Sequence, residues 1–182
     1  MLNIRGIKMI KKTTLTAIKL ALVAYLMMLC GVAHAGQFKV MRVYDGDTLR
    51  AKGYGIEIKV NLIGVDAPEI PIKKNESGQP YGQKARRFLA NMVLDKKVTI
   101  KGFGTDRYNR VLGVVYIDGQ NVNLEIIKAG LAEFDRSHTP KLFDPMPYQL
   151  AATAAKKAGE GMWSLGDRYM SPREWRRTQQ KQ

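Results

Sequence analysis

The sequence predicts an α+β fold in which five short strands form a closed barrel and three helices accompany it. Apolar and polar residues alternate over the first part of the chain beyond residue 35, and apolar residues return at helical spacing in three later segments. Short meandering strands also need closure, because an open edge leaves backbone groups unpaired. We place the folded domain at residues 36–170, between a cleavable signal at 1–35 and a basic polar tail at 171–182.

The first 35 residues have the three parts of a secretory signal peptide. A head with five Lys or Arg residues and no acid precedes an apolar run at residues 20–30 and the small-residue ending Ala33-His34-Ala35. A retained membrane anchor is the alternative, but the run is shorter than the roughly 20 apolar residues that a spanning helix needs. We therefore expect cleavage after Ala35, a secreted or periplasmic location, and no stable membrane association afterwards.

The charge of the exported part favours polyanionic partners. The whole chain has 30 Lys and Arg against 16 Asp and Glu, and without residues 1–35 it keeps 25 basic and 16 acidic side chains, a net charge of +9. Such a surface attracts nucleic acid, anionic lipid or acidic glycan, although it can also serve solubility alone.

Residue usage restricts the chemistry that the protein can perform. Cys30 and His34 fall within the signal segment, which leaves His138 as the one histidine and no cysteine. This excludes disulfides and His-rich zinc sites and argues against a Ser-His-Asp arrangement. Any catalysis must therefore come from carboxylates and guanidinium groups, with or without a hard metal ion.

The first three strands are predicted from alternation and turn signals. Residues 38–43 alternate, Asp45-Gly46 marks a hairpin turn, and residues 48–52 form the returning strand. Residues 56–62 then alternate apolar and polar side chains without error. A helix follows from Pro80, and five apolar residues lie on one face of it: Tyr81, Ala85, Phe88, Leu89 and Met92.

Two further strands are predicted at residues 97–103 and 111–117. A short helix at 122–129 follows, whose inward residues we expect to be Leu124, Ile127 and Leu131. The third helix is predicted at 148–158, and we expect the tail from Arg173 onward to fray. Three strands, a helix, two strands and two helices are the plan of a five-stranded β-barrel of the OB type.

Acidic residues cluster in two short motifs. Asp47 lies in Asp45-Gly46-Asp47-Thr48, and Asp66 and Glu69 follow the third strand. The first motif can also be a turn and nothing more. Carboxylate and carbonyl oxygens at a strand end are the ligands that calcium prefers. Asp47, Asp66, a backbone carbonyl near Ala67 and waters would form such a site.

A third motif, Thr105-Asp106-Arg107-Tyr108-Asn109-Arg110, lies between two predicted strands. Two guanidinium groups and a tyrosine can hold a phosphate and stack on a base. The alternative is an ordinary polar turn, in which Asp106 pairs with Arg107 or Arg110.

Together these motifs resemble the staphylococcal (micrococcal) nuclease family. The resemblance covers about residues 37–165, and its combination of segments is specific although no single segment is. The segments are Asp45-Gly46-Asp47-Thr48, Leu62-Ile63-Gly64-Val65-Asp66-Ala67-Pro68-Glu69, Gln79-Pro80-Tyr81-Gly82-Gln83-Lys84-Ala85, Thr105-Asp106-Arg107-Tyr108-Asn109-Arg110, Gly130-Leu131-Ala132 and Gly161-Met162-Trp163-Ser164.

The resemblance implies an OB-type barrel with three helices and a calcium-dependent phosphodiesterase that cuts DNA, with RNA as a further substrate, to 3′-phosphate products. By position, Asp47, Asp66 and the Ala67 carbonyl would hold Ca²⁺. Glu69 would orient or deprotonate the attacking water, and Arg110 would neutralise charge that builds up on the phosphate.

One position departs from the family pattern. The family has a second catalytic arginine five residues before the calcium aspartate, where this chain has Asn61. Asn supplies no charge, and losing one preorganised oxyanion donor costs about 10²–10³ in rate. Lys59 on the same strand face, Lys84 or Arg107 could take over part of this role. We expect these three residues and Tyr108 to contact the substrate.

Three hypotheses about function follow. The favoured one is an exported, monomeric, calcium-dependent nuclease weakened by Asn61, because both calcium aspartates, Glu69 and Arg110 are all present. The second is a catalytically inactive module that binds nucleic acid. The third is an envelope protein whose basic surface binds acidic glycan or lipid.

Overall fold

The structure is a computed structural model that describes residues 36–71, 78–137 and 139–179. The predicted signal peptide lies outside these residues, as does His138. The elements follow in chain order: β1 (Gly36–Val43), β2 (Thr48–Gly53), β3 (Ile56–Leu62), β4 (Val65–Asp66), α1 (Gly82–Val93), β5 (Lys97–Thr105), β6 (Val111–Ile117), β7 (Gln120–Asn121), α2 (Val122–Lys128), β8 (Glu133–Phe134), α3 (Met146–Ala158), a 3-10 helix (Gly161–Arg168) and α4 (Pro172–Gln179).

Five of the strands form a closed barrel. The neighbours run in the order β3-β2-β1-β5-β6, and β3 pairs with β6 to close the ring. The closing pair is parallel, with Val60 opposite Val111 and Leu62 opposite Gly113, whereas the other pairs are antiparallel. The predicted five-stranded barrel with helices is therefore confirmed.

The apolar faces that the sequence predicts form the core, with one local difference. In α1, Ala85 and Leu89 are fully buried, as the helical spacing predicts. In α2, Ile127 is fully buried, but Ile126 is buried beside it while Leu124 is only partly covered. Leu124 nevertheless packs against the core, so the predicted inward residues of this helix are confirmed, and Ile126 joins them.

The expectation that the tail frays was wrong for residues 173–179, since residues 172–179 form α4, and residues 180–182 lie outside the described part of the chain. A capping box begins this helix. The Glu174 amide donates to Ser171 Oγ at 3.2 Å, and the Glu174 carboxylate accepts from the Ser171 amide at 3.1 Å. Pro172 occupies the first turn and is buried. The helix was missed because the segment was interpreted from its basic, polar composition and not from its Ser-Pro-x-Glu helix-start signal.

A two-stranded pairing outside the barrel was also missed, because its strands are only two residues long. Val65 pairs with Phe134 and Asp66 with Glu133. This pairing fixes the backbone of Asp66 directly after the barrel strand β3. Among the described segments, no helix has the length and apolar character needed to cross a membrane.

Asn123 joins α2 to two other parts of the fold. Its side chain is fully buried. The amide nitrogen donates to the carbonyls of Ile63 and Gly113, both at 3.0 Å, and the amide oxygen accepts from Val115 N at 3.0 Å. All of the polar atoms of this side chain are therefore used to hold β6 and the segment after β3 against the helix.

We expect Asn123→Ala to lower the free energy of unfolding by about 2–4 kcal/mol, because it removes three hydrogen bonds to buried backbone groups. Urea denaturation measures this loss. Asn91→Ala, an exposed position on α1, is the matched control and should change stability little. Equal losses in the two variants would contradict the role given to Asn123.

Candidate active site

The Asp45–Thr48 turn both connects β1 to β2 and positions a carboxylate. Asp45 Oδ1 accepts hydrogen bonds from the amides of Asp47 at 3.0 Å and Thr48 at 2.6 Å. The Asp47 carbonyl accepts from Leu62 N at 2.8 Å, which fixes the turn against the end of β3. The turn and the candidate site are therefore the same structure.

The side chain of Asp47 links this turn to the second acidic motif. Its Oδ1 accepts from Thr48 Oγ1 at 2.9 Å, and its Oδ2 accepts from Ala67 N at 3.1 Å. Gly46 makes this approach possible, because a Cβ at Gly46 would lie 2.6 Å from Ala67 Cβ and 2.7 Å from Ala85 Cβ. Residues 47 and 67, twenty positions apart, thus lie in direct contact.

Glu69 is held through its backbone by the segment that leads into α1. Glu69 N donates to Gln79 Oε1 at 3.1 Å, and Gln79 N donates to the Glu69 carbonyl at 2.9 Å. Gly82 packs on the same carbonyl, since a Cβ there would lie 2.5 Å from the oxygen. The backbone is therefore fixed, and the carboxylate is left free for other contacts.

Arg176 of α4 contacts both downstream acids and was not predicted. Its Nη1 donates to Asp66 Oδ1 at 2.8 Å and to Glu69 Oε1 at 2.7 Å, and its Nη2 donates to Asp66 Oδ2 at 3.0 Å. The two carboxylates thus share one guanidinium. A basic residue in a polar segment over one hundred positions away carries no sequence signal of such a contact.

Arg110 is oriented by its own turn, as one of the two alternatives for this motif predicts. Asp106 Oδ2 accepts from Arg110 Nε at 2.7 Å, and Asp106 Oδ1 accepts from the amides of Tyr108 and Arg110 at 2.9 Å. Arg110 Nη1 donates to Thr48 Oγ1 at 3.3 Å. Because Thr48 also binds Asp47, one hydroxyl separates the Arg110 guanidinium from the Asp47 carboxylate.

Burial and like charge disfavour the ionised form of two acids. Burial raises the pKa of Asp47 well above its usual value, and the Asp45 and Asp66 carboxylates raise it further. Burial also raises the pKa of Glu69, although hydrogen bonding and charge from Arg176 oppose the rise. Added positive charge would therefore stabilise these carboxylates.

Two of the predicted substrate-binding residues, Arg107 and Lys84, place their positive charges over tyrosine rings. Arg107 lies over the Tyr108 ring at 4.8 Å, and Tyr108 is 65% exposed. Lys84 lies over Tyr81 at 4.4 Å. Arg107 and Tyr108 share a turn with Arg110, whereas Lys84 is an exposed residue of α1.

Lys59 lies in a basic group around Tyr44. Its ammonium lies 4.7 Å from the Tyr44 ring centre, and Arg42 and Arg50 lie 4.8 and 5.8 Å from it. Asn61, two residues further along β3, has its Oδ1 3.4 Å from Thr48 Oγ1, whose hydrogen is already donated to Asp47. The three-cation group is a basic surface that nucleic acid could contact.

The oxygen donors expected at a calcium site belong to segments in contact, and Arg176 lies on both oxygens of one of them, Asp66. The described residues contain no group of three His, Cys, Asp or Glu side chains that could hold a metal. The expected set needs only two carboxylates, Asp47 and Asp66, with the Ala67 carbonyl and waters. A guanidinium already lies on Asp66 and Glu69, so the acids accept a positive charge at this place.

Comparison with known proteins identifies nucleases along most of the chain. The family model described as Staphylococcal nuclease homologue matches residues 59–165. A Haemophilus influenzae protein named Uncharacterized endonuclease is 37% identical over 140 residues, 76% of this chain and 72% of that protein. An Escherichia coli protein of the same name is 35% identical over 141 residues, 76% of this chain and 82% of its own.

The Thermonuclease of Staphylococcus hyicus is also similar, with 32% identity over 138 residues, 74% of this chain and 80% of that protein. These relatives support a nuclease function for the chain and nucleic acid as its substrate class.

The Asp106–Arg110 pair should make stability depend on pH. Burial alone would raise the pKa of Asp106, but hydrogen bonds from Arg110 and Tyr108 outweigh it and the pKa is lowered. A lowered pKa in the folded state stabilises the fold above the unfolded-state pKa of about 4, and this stability is lost as pH falls through the folded-state value.

We therefore expect Asp106→Ala to lower the melting temperature at pH 7, and the difference from the unaltered protein to narrow below about pH 4. Thermal unfolding followed by circular dichroism between pH 3 and 7 measures this. Asp167→Ala, at an exposed position of the 3-10 helix, is the control. A difference that stays constant across this range would contradict the ion pair's contribution.

Proposed function

We propose that this chain, which belongs to the staphylococcal nuclease family, is an exported, calcium-dependent endonuclease. Its substrate is DNA, with RNA as a second substrate, and its products carry 3′-phosphates. The protein acts as a monomer outside the cytoplasm, in the periplasm or the medium. The similarity to endonucleases supports the hydrolytic activity, and the three-part sequence signal at residues 1–35 supports export.

One observation carries the proposal: three carboxylates and two guanidinium groups from distant parts of the chain converge in the structure. Asp47 contacts the backbone of Ala67, and Asp66 and Glu69 share a guanidinium. Arg110 reaches Asp47 through Thr48. Acids beside cations can assist water as a nucleophile while neutralising the charge of the phosphate that it attacks.

Each group has a distinct role. Ca²⁺ held by Asp47, Asp66 and the Ala67 carbonyl would supply positive charge against the phosphate. Glu69 accepts the proton of the attacking water as the water oxygen bonds to phosphorus and the bond from phosphorus to the 5′ oxygen breaks, which leaves the phosphate on the 3′ end. Burial raises the pKa of Glu69, which makes it a stronger base than an ordinary carboxylate. Arg110, oriented by Asp106, stabilises the negative charge that develops on the phosphate oxygens. Exposed Tyr108 offers a ring on which a base can stack.

A nucleic-acid-binding module without activity is the second candidate. Asn61 favours it, because this residue leaves β3 without a charged group beside Thr48. The basic group around Tyr44 would serve such a module equally well. Binding without cleavage under every metal ion tested would establish this candidate.

The first test is a cleavage screen with purified residues 36–182 across divalent metals and single-stranded DNA, duplex DNA and RNA. We expect cleavage of DNA with Ca²⁺, loss of cleavage with a chelator, and fragments that end in 3′-phosphates, as end-group analysis shows. Fragments with 5′-phosphates, or full activity in the chelator, would contradict the proposed mechanism.

Two substitutions test the assigned roles. Glu69→Gln removes the base, and Arg110→Ala removes the positive charge, so we expect each to lower kcat by about 10²–10⁴. Arg87→Ala, an exposed arginine of α1, has the same charge change as Arg110→Ala and should stay within about threefold of the unaltered protein. An Arg110→Ala variant as active as Arg87→Ala would refute the role of Arg110.

A further inference from the structure

We propose that Arg176 is the second phosphate-binding arginine of this site, supplied by the C-terminal helix in place of the charge that Asn61 lacks. The proposal rests on the function proposed above and identifies a further catalytic residue for it. Position 61 lies on β3 and position 176 lies on α4, far apart in the chain. The positive charge would therefore come from a different element than the family pattern places it on.

The contacts of Arg176 place its guanidinium where the reaction would occur. It lies 2.7 Å from Oε1 of Glu69, the proposed base, and 2.8 and 3.0 Å from the two oxygens of Asp66. A water held by Glu69 for attack must lie within hydrogen-bond distance of that carboxylate and close to the phosphorus. A guanidinium on the same carboxylate is therefore within reach of the oxygens of that phosphate.

The side chain is also accessible to a substrate. Arg176 is 43% exposed, whereas Asp66 is 13% and Glu69 34% exposed. The guanidinium thus covers the acids from the solvent side, from which a nucleic-acid strand would approach. Arg is suited to this position, because its planar donors match two phosphate oxygens at once.

Hydrogen bonds of Gln79 hold the segment that leads into α4 next to the segment of Glu69. Gln79 donates from Nε2 to the Met170 carbonyl at 2.7 Å, while its Oε1 accepts from Glu69 N. One buried side chain therefore holds both the segment that carries Glu69 and the segment that leads into α4. Trp175, next to Arg176, lines a cavity of about 100 Å³ together with Pro68.

The two guanidinium groups reach different members of the acidic group. Arg110 connects to Asp47 through Thr48, and Arg176 connects to Asp66 and Glu69. Asn61, which contacts Thr48 weakly, adds no charge to either. With Arg176 the site contains two guanidinium groups, the number that the family pattern leads one to expect.

A contrary role is that Arg176 blocks the site. Its hydrogen bonds to both oxygens of Asp66 use acceptors that a calcium ion would need. A blocking residue and a catalytic residue give opposite results when removed, because loss of the former raises activity and loss of the latter lowers it.

The experiment measures kcat and KM on single-stranded DNA with Ca²⁺ for Arg176→Ala and Arg176→Lys, each with and without Asn61→Arg. We expect Arg176→Ala to lower kcat about 10²-fold, as for removal of one preorganised donor. Arg176→Lys should show a smaller loss of kcat than Arg176→Ala but should stay below the unaltered protein, because an ammonium group cannot bind two phosphate oxygens in bidentate geometry. Asn61→Arg should raise kcat at least tenfold in the Arg176→Ala variant. It should raise kcat less when Arg176 is present.

Arg177→Ala is the matched control, since it removes the same charge from a neighbouring exposed position of α4. We expect it to leave kcat within about threefold. Unchanged or increased kcat in Arg176→Ala would overturn the proposal, and an increase would identify Arg176 as a blocking residue.

A binding measurement tests whether Arg176 contacts the substrate, and it does not require that the protein cleave it. The affinity for a phosphorothioate-linked, cleavage-resistant oligonucleotide, followed by fluorescence anisotropy with Ca²⁺, should fall at least fivefold in Arg176→Ala and less than twofold in Arg177→Ala. The dependence of log affinity on log salt should become shallower by about 0.7 in Arg176→Ala alone. If the unaltered protein cleaves nothing, the proposed function fails, and equal affinities of the two variants would then overturn the role of Arg176 separately.

Discussion

The crowding of carboxylates around Asp47 is the constraint on which the site depends. Burial and the neighbouring charges of Asp45 and Asp66 disfavour the ionised form of Asp47. Such an arrangement persists only when donors and positive charges compensate it, because buried like charges are costly. The amide of Ala67 and the hydroxyl of Thr48 compensate part of this cost, and Arg176 compensates the charge on Asp66 and Glu69.

Several separate elements of the fold position the acidic motif and the groups around it. Closure of β3 onto β6 fixes the strand that leads into the acidic motif, and the short β4–β8 pairing fixes Asp66. Gly46 and Gly82 let the Asp45–Thr48 turn and the start of α1 approach the backbone of that motif closely. These glycines are therefore required by packing at the site, not by chain flexibility alone.

The sequence predicted the parts of the molecule that depend on local pattern. Alternation of residues 56–62 and the helical spacing after Pro80 were sufficient for β3 and α1, because one face of each is buried. Asp47 and Asp66 were predicted as neighbours from the ligand chemistry of the two acidic motifs and from motif resemblance, and in the structure Asp47 contacts the backbone of Ala67. The contact of Arg176 with the acids depends on tertiary docking of α4, so no local pattern could predict it.

The long sequence separation between Asp66 and Arg176 has a consequence for the order in which the protein is made. The acids and Arg110 all leave the ribosome before the last helix does, since 110 residues separate the two partners of the Asp66–Arg176 contact. A nascent chain that has already formed its strands still lacks the cation at Asp66 and Glu69. The charge arrangement is therefore completed only once α4 is available, and a protein cut before Arg176 would lack the cation that lies on Asp66 and Glu69.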